Sequence, residues 1–393
     1  MFKPASCLSV LAVVFLTALH SPAHGEDIFP AALRSEALDW TARSMKQTLA
    51  AVGDSFPVAT EKGVWELDGG GWTGGYWAGM LWMMFQASGD SLWLKEARRF
   101  TALLEPNRSD TDNIDIGILF WPSMDLGYAA TGDSAYREIG LAGARTMMKR
   151  WNEAGGYFQN WGRLGEREQA GFVIIDCLIN LDHLYWAASQ TGDSSFARAA
   201  TSHALKTAGA HVRPDGSSWQ VVEFDYASGR KIRSLHKQGF SESSTWSRGQ
   251  SWGIYGFSRA YLNSGRAEFL ETAVRMADWY IDNLPGDYIP YWDFQAPGIP
   301  DDARDTSAAS MAASGLIELA GLVKDPQRAA RYRQAAEATL ASLTRNYLTR
   351  GLPGRNDGVL TGGTYFYANS GSIDQANIWG DFYFLEALLR LGR

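Results

Sequence analysis

Three stretches carry the same turn: ASGDSLWL at residues 87–94, ATGDSAYR at 130–137 and QTGDSSFA at 190–197. In each, the glycine can take the left-handed conformation that ends one helix, and the Asp after it can accept backbone N–H bonds as the cap of the next. Looser forms return at Ser264 and Asp325. These are helix–turn–helix joints. Outward from them, apolar residues recur at helical spacing in segments starting near residues 32, 74, 91, 114, 134, 168, 195, 246, 267, 306, 326 and 376. Twelve helices make six hairpins. No hairpin buries its apolar face alone, and six in succession can close into a double ring of inner and outer helices, the (α/α)6 toroid. The sequence therefore predicts an all-α protein with one domain over residues 26–393, and strand-like alternation only around SSWQVVEFDY at 217–226.

The composition agrees with a compact body and narrows the partners. Of 393 residues, 46% are hydrophobic, 20% charged and 13% aromatic, which excludes disorder, collagen and coiled coil. A formal charge of −7 creates no field that draws in nucleic acid or anionic lipid, so an acidic partner must be held by a few placed cations. Lys3, an apolar run from Leu8 to Leu19, then Ala23 and Gly25, read as a cleaved secretory signal over residues 1–25. That predicts a periplasmic or secreted protein with no membrane span. Cys7 leaves with the signal and Cys177 stays as a lone thiol, so no internal disulfide is expected.

The helices alternate in what precedes them. Odd-numbered ones follow the plain turns. Even-numbered ones follow long loops dense in aromatic and polar residues: GGGWTGGYWAG (69–79), TDNIDIGILFWPS (111–123), FSESSTWSRGQSWG (240–253), PYWDF (290–294) with ARDTSAAS (303–310), and GTYFYANSGSIDQANIWGD (363–381). In a double ring, alternate helices form the inner wall, so these loops converge on one mouth. Many of the 16 Trp lie there, and indole faces suit the C–H faces of sugars; Trp72, Trp77, Trp246, Trp252 and Trp292 are the candidate platforms.

Carboxylates come next, because breaking a glycosidic bond or hydrating a sugar double bond needs a proton donor and a group that steers water. Asp176 lies inside the apolar run GFVIIDCLIN, where desolvation should raise its pKa and keep a proton available. Asp115, in NIDIGI, starts an inner helix facing the same cavity; Asp125, Asp182, Asp293 and Asp305 are further candidates. Arg248, at the start of another inner helix, is the cation suited to a uronic acid, whereas Arg304 beside Asp305 reads as a structural pair. The six His, at 20, 24, 183, 203, 211 and 236, show no metal-ligand spacing, and neither a nucleophile elbow nor a dinucleotide fingerprint occurs, so no metal or cofactor is expected.

With these residues in place, the chain resembles the unsaturated glucuronyl hydrolases of glycoside hydrolase family 88. The likeness runs from Trp72 to the C-terminus. It is carried by WTGGYWAGMLW, the Asp115-Ile116-Gly117 step, IIDCLINLDHLYWA, HVRPDGSSWQ, KQGFSESSTWSRGQSWGIYGF, LPGDYIPYWDF, RDTSAASMAASGLIEL and GDFYFLEALLRL. The resemblance implies an (α/α)6 barrel that removes a 4,5-unsaturated uronic acid from the non-reducing end of oligosaccharides made by polysaccharide lyases. It implies vinyl-ether hydration, with Asp176 as general acid and base and Asp115 as the second required carboxylate. Gln238, Arg248 and Trp252 match residues that contact the unsaturated sugar, with Trp72 on its face. Members usually have His before the first Asp, Phe three residues after it, and His at the position of Gln220; this chain has Ile114, Ile118 and Gln220. An altered substrate follows as the expectation, with Gln220 in the binding set. The rival readings are the rhamnogalacturonyl hydrolase type and a non-catalytic protein that binds acidic oligosaccharides. A monomer is the expected state.

Overall fold

The computed structural model describes residues 27–369 and 371–392. The expected signal, with Cys7, His20 and His24, lies outside the described residues. The main body is a double ring of helices. The outer helices are α1 (Ala31–Val52), α3 (Ser91–Leu104), α6 (Ser134–Met148), α8 (Ser194–His211), α10 (Ala267–Asp282) and α12 (Pro326–Asn346). The inner ones are α2 (Gly74–Ser88), α4 (Ile116–Phe120) continued by α5 (Leu126–Thr131), α7 (Leu181–Thr191), α9 (Ser247–Ser264), α11 (Thr306–Leu322) and α13 (Ile378–Leu391). Each inner helix touches the next, and α13 returns to α2, which closes the ring.

Burial follows position in the ring. Outer α3 buries Trp93, Ala97, Phe100 and Leu104, a single stripe at helical spacing. Inner α11 is buried without a break from Thr306 to Leu316. Its Ala, Ser and Gly residues allow this, because a Cβ at Gly315 would sit only 3.1 Å from the Tyr255 backbone. The three repeated turns form as their residues dictate. Gly89, Gly132 and Gly192 have φ of 69°, 70° and 73°, and Asp90, Asp133 and Asp193 accept from the amides of Leu92, Ala135 and Ser195.

Three sequence expectations give way. The helix expected from residue 168 begins only at Leu181. Before it, Phe172–Ile174 forms a strand (β5) against Val221–Phe224 (β6), which also pairs with Lys231–Leu235 (β7), and a 3₁₀ segment spans Ile175–Asn180. The β-branched run Val173-Ile174-Ile175 favours the pleat, and Gly171 lets the Phe224 carbonyl approach to where a Cβ would be 2.1 Å away. The second inner helix is interrupted by a π turn over Trp121–Asp125, which contains Pro122. Strand structure is also wider than expected. Short strands β3 (Trp151–Asn152) and β4 (Tyr157–Phe158) pair, and Phe56–Glu61 and Val64–Asp68 make a hairpin whose turn residues Lys62 and Gly63 both have positive φ.

Candidate active site

Asp115 and Asp176 are brought to the same hollow by backbones in close contact. Asp115 stands at the N-terminus of α4, and Asp176 on the 3₁₀ segment that leads into α7. The two elements touch at Gly117, where a Cβ would lie 2.3 Å from the Asn180 carbonyl oxygen. Asn180 then joins them. Its Nδ2 donates to Asp115 Oδ1 at 3.0 Å, and its Oδ1 accepts from the Ile118 amide at 2.9 Å. Both carboxylates keep partial exposure, as groups lining an opening do. Asp176 Oδ2 is nevertheless buried with no hydrogen-bond partner among the described residues.

Burial pushes the Asp176 carboxyl up to about 7, assisted by the charge of Asp115 and opposed by backbone hydrogen bonding and by Arg248 and Lys237. Asp115 is likewise raised by burial to about 6, held back by the Asn180 bond and by Arg150. The pair is therefore poised to exchange a proton near neutral pH.

One wall of the hollow is a hydrogen-bonded lattice. Arg248, 2% exposed, donates from Nη1 to Asp305 Oδ2 (2.7 Å) and the Thr364 carbonyl (2.5 Å), and from Nη2 to the Tyr365 carbonyl (2.6 Å). Its guanidinium also lies over the Trp246 ring at 4.5 Å. Gln238 Nε2 donates to the same Tyr365 carbonyl at 3.1 Å, while its Oε1 accepts from Gln220 Nε2 at 2.9 Å. Gln220 Oε1 in turn accepts from the amides of Lys237 and Gln238. The Gln220 amide thus braces the 237–238 backbone.

The expected Arg304–Asp305 pair does not form. Arg304 bridges in extended backbone to Tyr291, so side chains 304 and 305 leave on opposite faces. Arg304 reaches Asp287 and the Ile289 carbonyl, and Asp305 turns inward to Arg248 while capping α11. The other candidate carboxylates are also engaged in structure. Asp125 bonds His183 Nδ1 at 2.8 Å, Asp182 pairs with Arg259, and Asp293 accepts from the Phe240 amide and Ser244 Oγ.

Among the five indoles, Trp72 alone keeps an open portion. Trp77 is buried against Phe100, Trp246 lies under Arg248, and Trp292 is covered by Tyr367, stacked at 4.1 Å. Helical period explains Trp77: one turn of α2 holds one inward-facing aromatic, and Trp72 and Tyr76 have that side. Trp252 is buried with its ring edge to Tyr383 (5.9 Å), and its Nε1 has no partner among the described residues.

The structure adds residues that the sequence did not single out. Trp379 lies 5.1 Å from Trp72 and 4.9 Å from Tyr365, and Tyr76 and Tyr383 continue this lining inward. The inward aromatic register of α13, IWGDFYF, was a usable signal. Beside the carboxylates opens a cavity of about 790 Å³ lined by Ile114, Asn160, Trp161 and Lys237 among others. Lys237 Nζ sits over the Trp161 ring at 4.6 Å, an arrangement between segments far apart in the chain that no local pattern shows.

No family model matches the chain. It is 40% identical over 365 residues to the unsaturated glucuronyl hydrolase of Bacillus sp. strain GL1, covering 91% of this chain and 95% of that protein. It is 33% identical over 369 residues to the unsaturated chondroitin disaccharide hydrolase of Streptococcus pneumoniae, covering 90% and 91%. The crystal structure of the Bacillus sp. GL1 enzyme, described as responsible for the degradation of glycosaminoglycan, matches with a TM-score of 0.88 at 38% identity, over 92% of this chain and 97% of that one. Agreement of this extent, in sequence and in the closed double ring alike, places the chain in the unsaturated glucuronyl hydrolase family of glycosidases.

Proposed function

We propose that this protein removes a 4,5-unsaturated uronic acid from the non-reducing end of oligosaccharides produced by polysaccharide lyases. The observation that carries this reading is the Asp115–Asp176 pair, raised by burial to about 6 and about 7 in an aromatic hollow. Vinyl-ether hydration needs a carboxyl that is still protonated near neutral pH. Asp176 delivers its proton to C4, water adds at C5, and the carboxylate recovers a proton from that water. The resulting hemiketal opens and the aglycone leaves. Asp115, oriented by Asn180, holds the ring hydroxyls or Asp176 itself.

Trp72 offers the platform for the unsaturated ring, with Trp252, Gln238 and Arg248 around it. Arg248 already shares its charge with Asp305, so it contributes direction more than free charge to a bound carboxylate. The leaving sugar faces the cavity of Trp161 and Lys237, where an ammonium over an indole suits an acidic substituent. Ile114 lines this cavity and Gln220 flanks it through Val221, which ties the two replaced imidazoles to altered substrate choice. The relatives' names support the substrate class: one is called an unsaturated chondroitin disaccharide hydrolase, and a solved neighbour is described as specific for heparin. The action belongs to the periplasm or the medium, given the leader in residues 1–25.

The test is loss of the enol-ether absorbance across a panel of unsaturated disaccharides, with Asp176→Asn as control. Turnover by the wild type and its loss in the variant are expected. No turnover of any panel member, with binding intact in both proteins, would overturn hydrolysis in favour of a binding protein.

A further inference from the structure

Tyr76 is the buried group at the carboxylates whose presence the packing does not explain. It lies on α2 four residues after Trp72, on the same face, with the two rings edge to face at 6.3 Å and 88°. Its neighbour Gly75 is pressed on α4, since a Cβ there would be 2.5 Å from the carbonyl oxygens of Ile118 and Leu119. Gly117 is pressed in the same way on Asn180. The backbones carrying Tyr76, Asp115 and Asp176 are thus stacked in direct contact.

Tyr76 is 0% exposed, and its hydroxyl finds no hydrogen-bond partner among the described residues. The hydroxyl of Tyr383 approaches it without meeting hydrogen-bond geometry. Asp176 Oδ2 and the Tyr383 hydroxyl are also buried without a hydrogen-bond partner among the described residues. A phenylalanine would fill the same space without burying an unsatisfied hydroxyl, so the oxygen has a use that the free packing does not supply. The charges of both Asp115 and Asp176 reach this phenol and, with burial, hold it protonated.

We propose that the Tyr76 hydroxyl is a catalytic group that holds the water added to C5, which rests on the hydration reading above. The Asp176 carboxyl gives its proton to C4 as the C4–C5 double bond is consumed. The water oxygen bonds to C5, and one of its protons passes to the Asp176 carboxylate. Its second hydrogen is held by the Tyr76 oxygen, which neither gains nor loses a proton over the cycle.

The test compares Tyr76→Phe with Tyr280→Phe, a tyrosine of outer α10 that is equally buried and whose hydroxyl also lacks a partner among the described residues, in the full chain on an unsaturated disaccharide that the wild type turns over. Tyr76→Phe is expected to lower kcat 10- to 100-fold with KM within twofold and a melting temperature equal to or above wild type; Tyr280→Phe is expected to stay within twofold of the wild-type kcat. An unchanged kcat in Tyr76→Phe, a loss in KM alone, or equal losses in both variants overturns the proposal. A crystal structure that resolves water supplies a readout independent of turnover. A water bonded to both the Tyr76 hydroxyl and Asp176 Oδ2 supports the role even if every disaccharide fails as substrate. A Tyr76 hydroxyl bonded directly to a protein group overturns it.

Discussion

Asn180 holds Asp115 and the start of α4 with one amide: Nδ2 donates to Asp115 Oδ1 at 3.0 Å and Oδ1 accepts from the Ile118 amide at 2.9 Å. This bond stabilises the ionised form of Asp115, against burial that favours the neutral one. Asn180→Ala removes both contacts, leaving the buried Ile118 amide unsatisfied and the partly exposed Asp115 carboxylate without its donor. A loss of about 2–4 kcal/mol in chemical denaturation is expected. The Asp115 carboxyl should rise further above about 6, moving the acid limb of the pH–rate profile upward. A variant of unchanged stability and unchanged acid limb would refute this clamp.

Asp176→Asn should separate stability from catalysis. In the folded chain the Asp176 carboxyl keeps its proton up to about 7, whereas in the unfolded chain it does so only to about 4. Between these values the folded state holds more protons, so the stability linked to this group is fully present below pH 4 and is lost as pH rises to 7. Asn cannot ionise and escapes that loss. The variant should match the wild type near pH 4 and exceed it by about 1–3 kcal/mol at pH 7. Its hydration rate should fall at least about 10²–10⁴-fold. Thermal melts over the two pH values and the absorbance assay check the two halves.

The pH dependence of the rate follows from the same pair. Activity should fall as pH rises through about 7, where Asp176 surrenders the proton it must deliver, and again as pH drops through about 6, where Asp115 becomes neutral. The two groups interact, so the limbs belong to the pair. A kcat/KM profile with a maximum outside mildly acidic to neutral pH would contradict these assignments.

Gly117→Ala should be among the most damaging single-methyl changes. The added carbon would meet the Asn180 carbonyl oxygen at 2.3 Å and Cα at 2.6 Å, both backbone atoms that cannot rotate away. Widening this contact parts Asp115 from Asp176. The expectation is a loss of about 1–3 kcal/mol together with a large fall in kcat, read by melting and steady-state kinetics.

Asp305→Ala should destabilise by about 3–5 kcal/mol, because it strands the 2%-exposed Arg248 guanidinium without its carboxylate. The α11 cap at Ser307 and Ala308 goes with it. Arg304→Ala, on a half-open pair with Asp287, should cost about 1 kcal/mol or less. Comparable losses in the two variants would undo the distinction drawn between these neighbours.

The double ring was legible because its signals are local: a Gly for the left-handed turn, an Asp two residues from the amide it caps, and a stripe such as Trp93-Ala97-Phe100-Leu104. Asp176 was legible for a similar reason, since its aliphatic neighbours are adjacent in sequence. The helix expected at 168 failed because an apolar run has no period of its own, and the partner that settles it as a strand, Val221–Phe224, lies some fifty residues away. Pairings across the ring were out of reach for the same cause. Nothing near Asp305 tells that it will meet Arg248 rather than Arg304, and nothing near Lys237 points to Trp161.

The Tyr365 carbonyl, shared by Arg248 and Gln238, ties the 363–366 loop to both the loop that leads into α9 and the first turn of α9, on one side of the entrance. Mutational drift there would be felt by every partner at once, leaving little freedom to adapt. On the flank around Ile114 and Trp161 the bracing is to backbone alone, where Arg150 donates to the Thr111, Gln159 and Gly162 carbonyls, and the side chains at 114 and 161 take no part in it. Diversification toward new leaving groups can therefore proceed on that flank while the grip on the terminal uronate stays constant, as a tool with a fixed jaw and an exchangeable one.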